Sequence, residues 1–147
     1  MVYTKYMKNI ADKYITRVIR EIQSHQGSEN PVSVSELMTL VPLTDREIRR
    51  LVSYLVVEEL YPIGSKSSKP AGFFRIRDIS DFIEAIANLD PRSKKIEKRA
   101  LRLAKACRKY GLEIPEINIS KYKNSTHLSI QIKNSVVFIG NEKKYIE

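Results

Sequence analysis

Cysteine occurs once in the 147 residues of this chain, histidine twice and glycine five times. A single cysteine, Cys107, excludes an intrachain disulfide and offers no pair of thiolates at metal-ligand spacing. The two histidines, His25 and His127, lack a matching Cys, Asp or Glu cluster, and the glycines are scattered rather than gathered into a phosphate-cradling loop after a strand. Nucleophile-elbow and zinc-protease patterns are missing as well. Asp78, Asp81 and Glu84 form the one acidic group that a metal-dependent nuclease could use. Carboxylates at a helix start complement the helix dipole, however, and that simpler role is the one expected of them. The chain therefore reads as a binding protein without metal or cofactor, not as an enzyme.

Long apolar runs are also lacking. No stretch approaches the ~18 residues of a membrane span, and the start MVYTKYMKNIADK has no apolar core of a secretory signal. A cytoplasmic protein with no membrane partner is expected. What the chain has in excess is positive charge: 26 Lys and Arg against 17 Asp and Glu, a formal net charge of +9. Such a balance favours polyanions, because each phosphate neutralised by Lys or Arg releases counterions. With 42% hydrophobic and 29% charged residues the composition is that of an ordinary globular domain, neither disordered nor membrane-like.

The stretch from Thr44 to Leu60, TDREIRRLVSYLVVEEL, carries an apolar face and a separate basic one. Ile48, Leu51, Val52 and Leu55 recur at helical spacing, while Arg46, Arg49, Arg50, Ser53 and Tyr54 are expected to point away from the core. Thr44 followed by Glu47 is a capping-box pattern and marks the helix start. Before it, Ser33 and Glu36 repeat the spacing at the head of a short helix with Leu37, Leu40 and Val41 inward, ended by Pro42. Val32–Val34 supplies a short strand ahead of that helix, and Tyr3–Gln23 reads as a long amphipathic helix with a stripe from Met7 through Ile22. SHQGSENP is the turn-rich break between them.

After Leu60 the period changes to an extended one. YPIGS and GFFRIR flank KSSKPA, a hairpin with a basic tip. The order of helix, short strand, helix, turn, helix, strand, basic loop and strand over Tyr3–Arg77 resembles the winged-helix DNA-binding fold, and more narrowly the small winged-helix proteins of bacteriophages and prophages. The resemblance implies that Thr44–Leu60 is the recognition helix and Ser65–Gly72 the wing. Arg46, Arg49 and Arg50 would then meet base edges, with Thr44, Ser53 and Tyr54 beside them, and Lys66 and Lys69 would meet phosphates or the minor groove.

Downstream, Asp78 or Ser80 caps a helix buried through Phe82, Ile83, Ile86 and Leu89, and Asp90–Pro91 marks a fresh start. The helix from Pro91 to Tyr110, ended by Gly111, is the most basic part of the chain. Its apolar positions Ile96, Ala100, Leu103, Cys107 and Tyr110 form a short heptad-like seam that can pack within the chain, pair with a second copy, or both. Intrachain packing leads, since two heptads are marginal for an isolated coiled coil. A homodimer on DNA is nevertheless expected, held through Ile96, Leu103 and Cys107. Beyond Gly111, IPEINIS reads as irregular, HLSIQIKNSVVFIG as a second hairpin turning at Asn134 and Ser135, and EKKYIE as a disordered end.

The expected architecture is mainly α with small β: a winged helix-turn-helix domain over 1–78, a basic helical extension over 79–110 and a C-terminal β-hairpin appendage over 111–147. The function expected of it is sequence-selective binding of double-stranded DNA, in transcription control of a phage or mobile element. An origin-binding replication protein and an inhibitor of a host enzyme, using the C-terminal tail as its contact with a protein partner, are the alternatives.

Overall fold

Two capping boxes set the first helical corner. Ser33 Oγ accepts from Glu36 N at 3.0 Å at the head of α2 (Val34–Leu40), and Thr44 Oγ1 accepts from Glu47 N at 3.2 Å at the head of α3 (Asp45–Val57). Both glutamates return a bond to the capping residue's own N–H, so each helix start satisfies two donors that its own turns leave orphaned. Pro42 and Leu43 make the turn between the helices, with Leu43 buried and Pro42 exposed.

The structure, a computed structural model, describes residues 9–90, 92–132, 135–139 and 144–146. Among these residues there are five α-helices, a two-stranded hairpin and a four-stranded antiparallel sheet, a mixed α/β arrangement. The first helix, α1 (Asp12–Ser24), buries Ile15, Val18 and Ile22. It starts later than the apolar periodicity suggests, because Ala11 is extended; Met7 and the other residues of 1–8 lie outside the described residues. In α3 the buried set is Ile48, Leu51, Val52, Tyr54, Leu55 and Val56, and the helix ends at Val57, ahead of Leu60 at φ 58°.

The hairpin pairs β1 (Ile63–Lys66) with β2 (Gly72–Arg75) in antiparallel register, Ile63 opposite Arg75. The segment between α1 and α2 runs along the other edge of β2: Val32 and Phe73 exchange backbone bonds of 2.8 and 2.9 Å, and Gln26 bridges Arg75. Of the short strand expected over Val32–Val34, only Val32 pairs; Ser33 is the cap and Val34 the first residue of α2. Gly64 lies where β1 crosses the next helix, α4 (Ile79–Ala87). A Cβ there would stand 2.6 Å from Phe74 Cζ and 2.8 Å from Ala85 Cβ, so only glycine lets strand and helix approach this closely.

Helix α4 is capped by Asp78, which accepts from Asp81 N, and α5 (Ile96–Lys109) follows a break at Asp90. Pro91 lies outside the described residues, and α5 begins five residues after it rather than at it. Gly111 at φ 90° ends the helix as expected. The seam of α5 is spent inside the chain: Ile96 is 3%, Leu103 4% and Cys107 0% exposed, all in one cluster with residues of α1 and α3. Arg102 Nε adds a 2.7 Å bond to the Val57 carbonyl at the end of α3. This corrects the expected dimer seam. Turning Ile96 and Leu103 out of this cluster would uncover apolar surface at about 1.5–3 kcal/mol for each side chain.

Cys107 carries a testable consequence. Burial pushes its thiol up to about 12, so almost no thiolate exists near neutral pH. A small thiol reagent should leave native protein unmodified and label it only at the rate of unfolding. Rapid labelling without denaturant, or crosslinking of two copies by a short bifunctional reagent, would overturn this packing of α5.

The tail is larger in β structure than its alternation indicates. β3 (Ile117–Tyr122), β4 (Ser125–Ile132), β5 (Ser135–Ile139) and β6 (Lys144–Ile146) pair in sequence order as an antiparallel meander. INIS, expected to be irregular, pairs with β4, Ile117 opposite Ile130 and Ile119 opposite Leu128; the end, expected to be disordered, contributes β6. The turn at Asn134 lies outside the described residues. Leu128 and Ile130 are buried in the same cluster as Ile22, Leu51, Phe82 and Leu103. One apolar core therefore runs through all three segments.

Candidate functional site

Spacings of three and four residues put Arg46, Arg49, Arg50 and Ser53 on one face of α3, opposite Ile48, Leu51 and Leu55. Arg46 is exposed and has no side-chain hydrogen bond or ion pair among the described residues. Arg49 is exposed and holds Asp45 one turn earlier, its Nε 2.5 Å from Oδ1. Arg50 and Ser53 are half-buried at the edges of the face. The basic surface of the helix is thus presented by its first two turns, with the core beneath it fixing its direction.

Thr44 is exposed; its hydroxyl oxygen accepts the cap bond, and the hydroxyl hydrogen remains available as a donor. Two of the expected contact residues stand differently. Tyr54 is 6% exposed, belongs to the core and donates to Glu59 Oε1 at 3.0 Å, so it is corrected from a surface contact to a packing residue. Lys66, expected at the wing, turns inward: its side chain is 16% exposed, and Nζ lies 3.3 Å from the Ser28 carbonyl and 3.9 Å from Glu84 Oε1. That leaves Lys69 as the exposed cation of the hairpin connection. Ser67 in the same connection is tied by N and Oγ to Asn88 Oδ1 at 3.1 and 2.7 Å, which fixes the base of the loop to the end of α4.

Next to the hairpin's second strand in sequence, Asp81 is a buried carboxylate for which the sequence offered only a helix-start role. Asp81 is 2% exposed and accepts from Ser28 N at 3.0 Å, Arg77 N at 2.9 Å and Arg77 Nε at 3.1 Å. Arg77 also reaches Glu29 at 2.7 Å. The group ties the loop after α1 to the strand–helix corner before α4, and its partners 53 and 48 residues apart had no signal in the chain order. Among the described residues no group of three or more His, Cys, Asp or Glu side chains is placed to hold a metal ion. No described helix is long and apolar enough to cross a membrane.

Comparison with family models, with curated proteins and with solved structures finds no match to this chain. Its function has to be read from the geometry of these residues.

Proposed function

We propose that this chain is a winged-helix protein that binds double-stranded DNA sequence-selectively, with α3 entering the major groove and the loop around Lys69 touching the backbone beside it. The observation that carries this reading is the doubly capped α2–turn–α3 corner, whose outer face presents Arg46 and Arg49 while its inner face is anchored in the core. A guanidinium held on a rigid helix suits bidentate pairing with guanine O6 and N7. The antiparallel hairpin directly after α3 and the net charge of +9 support it. Transcription control in a phage or mobile element is the role we assign on the narrower resemblance. With the α5 seam buried, a complex with one copy of the chain is the simpler stoichiometry.

Fluorescence titration of a random-sequence duplex pool at increasing salt tests the first part. Log affinity should fall by about 0.9 per phosphate contact for each log unit of salt. A flat response, or no duplex binding at low salt, would remove DNA as the partner. Selection of bound sequences from the same pool would then show whether one motif is enriched.

A further inference from the structure

Between the starts of α2 and α3 and the β1–β2 hairpin lies a cleft of about 530 Å³. Its volume is within the range of small-ligand pockets. Three cations line it, Arg49, Lys66 and Arg99, against one carboxylate, Asp45. Two of the cations are engaged: Arg49 holds Asp45, and Lys66 is turned to Ser28 and Glu84. Arg99 is different. It projects from α5 and is half-buried, and its guanidinium has no hydrogen-bond or ion-pair partner among the described residues. A smaller void beside the cleft, between Val56, Leu89 and Leu103, is also lined by Arg99, so the residue spans the two spaces.

A guanidinium withdrawn from water without an anion is costly, and burial lowers the Arg99 pKa from its ordinary value accordingly. The opposite wall is already ordered. Asn88 Nδ2 donates to Ser65 Oγ at 3.0 Å, which leaves the Ser65 hydroxyl hydrogen free to donate into the cleft. We propose that this cleft is a phosphate-binding site with Arg99 as its anchoring cation. The fork of an arginine matches two phosphate oxygens, and a phosphate has a further oxygen for the Ser65 hydroxyl. A phosphate offers more acceptors than a lone carboxylate, enough for both the Arg99 fork and the Ser65 hydroxyl. The phosphate can belong to a free phosphorylated small molecule or to the DNA backbone passing between α3 and the hairpin; only the second source rests on the function proposed above.

The test uses the full chain, with Arg99→Met to remove the charge while keeping an apolar stem, and Arg99→Lys to keep charge and stem but not the fork. In phosphate-free buffer Arg99→Met should melt about 2–4 °C higher than the parent, because a desolvated charge is gone. Inorganic phosphate, against chloride at equal ionic strength, should raise the parent's melting temperature and shift the NMR signal of the Arg99 Nε–H. Both responses should vanish in Arg99→Met and fall at least 5-fold in Arg99→Lys. That outcome assigns the site to a free phosphate group. If phosphate alone has no effect but Arg99→Met weakens duplex binding about 10-fold and reduces the salt slope by about one contact, the occupant is a backbone phosphate. Absence of both responses overturns the proposal, as does a lower melting temperature for both variants, which would make the guanidinium a structural prop. Loss of duplex binding by the parent itself would defeat only the DNA reading and leave the phosphate titration to decide.

Discussion

Replacing Asp81 by alanine is expected to lower stability by about 3–5 kcal/mol, chiefly because two backbone N–H groups lose their acceptor at about 1–3 kcal/mol each, with a smaller part from the ion pair to the 40% exposed Arg77. At about 2–4 °C per kcal/mol this is roughly 6–20 °C in melting temperature. The carboxylate receives two backbone N–H groups, from Ser28 and Arg77, and the Arg77 guanidinium. Truncation would orphan both amides and release the loop after α1 from the start of α4. Arg77→Ala should cost less. It leaves Asp81 with its two backbone donors, and the guanidinium removed is itself 40% exposed. Asp81→Asn should fall between them, since an amide NH₂ would face an amide or guanidinium donor. Equal melting temperatures for Asp81→Ala and the parent would show that the group adds nothing to the fold.

The same pair predicts an acid limb. Burial on its own would raise the Asp81 pKa, but the Arg77 side chain and the N–H groups of Arg77 and Ser28 outweigh it and hold the carboxyl below its ordinary 3.8. Its folded value is thus below its unfolded value, so the unfolded chain binds the proton first. The contribution is fully present above the ordinary value and is lost as pH falls through the folded one. Glu29 is shifted in the same direction, through its backbone hydrogen bond and then Arg77. The stability difference between the parent and Asp81→Asn should therefore be constant from neutral pH down to about 5, and should shrink below 4. A difference independent of pH down to pH 2 would show that the charge of Asp81 is not what stabilises the corner.

How far the chain could be read depended on how local each signal was. The boxes Ser33–Glu36 and Thr44–Glu47 are complete within four residues, and both are formed. The hairpin, with turn formers between two apolar runs, is similarly self-contained. Tyr54 lies at the margin of the apolar stripe, where helical periodicity does not separate core from surface; its phenol is held by Glu59, beyond the helix end. Lys66 has the composition of a wing tip, but its ammonium is drawn inward by Ser28 and Glu84, neither of them its neighbour in sequence. Asp81 shows the same limit more strongly, since a capping turn and a buried hub use identical residues. In the tail, the alternation of Leu128, Ile130 and Ile132 was legible, whereas INIS depends on β4 for its pairing and β6 on β5. The α5 seam was visible as a seam, but periodicity does not say which surface closes it; α3 does.

Reversing the charge of Arg46 and Arg49 together, to glutamate, should weaken duplex binding at least 100-fold while leaving the fold intact. Each single change to alanine removes about 1–3 kcal/mol if the guanidinium pairs with a base, a loss of roughly 5- to 150-fold. Two reversals add repulsion from the phosphates to the lost contacts. The fold is spared because both side chains are exposed and, among the described residues, only Arg49 has a side-chain partner, an exposed bond to Asp45 of the kind usually worth about 0.3–0.5 kcal/mol. The melting temperature of the double variant should accordingly stay within about 2 °C of the parent's. Lys69→Ala, at the tip of the hairpin, should lower affinity for all duplexes by a similar and smaller factor, since a phosphate contact positions without reading sequence. Arg46→Ala and Arg49→Ala should each flatten preference at one base position of the selected site. If all three substitutions reduce specific and random binding by the same factor, α3 lies against the backbone instead of entering the groove; if the double reversal leaves affinity unchanged, its basic face is solvated surface and DNA is bound elsewhere or not at all.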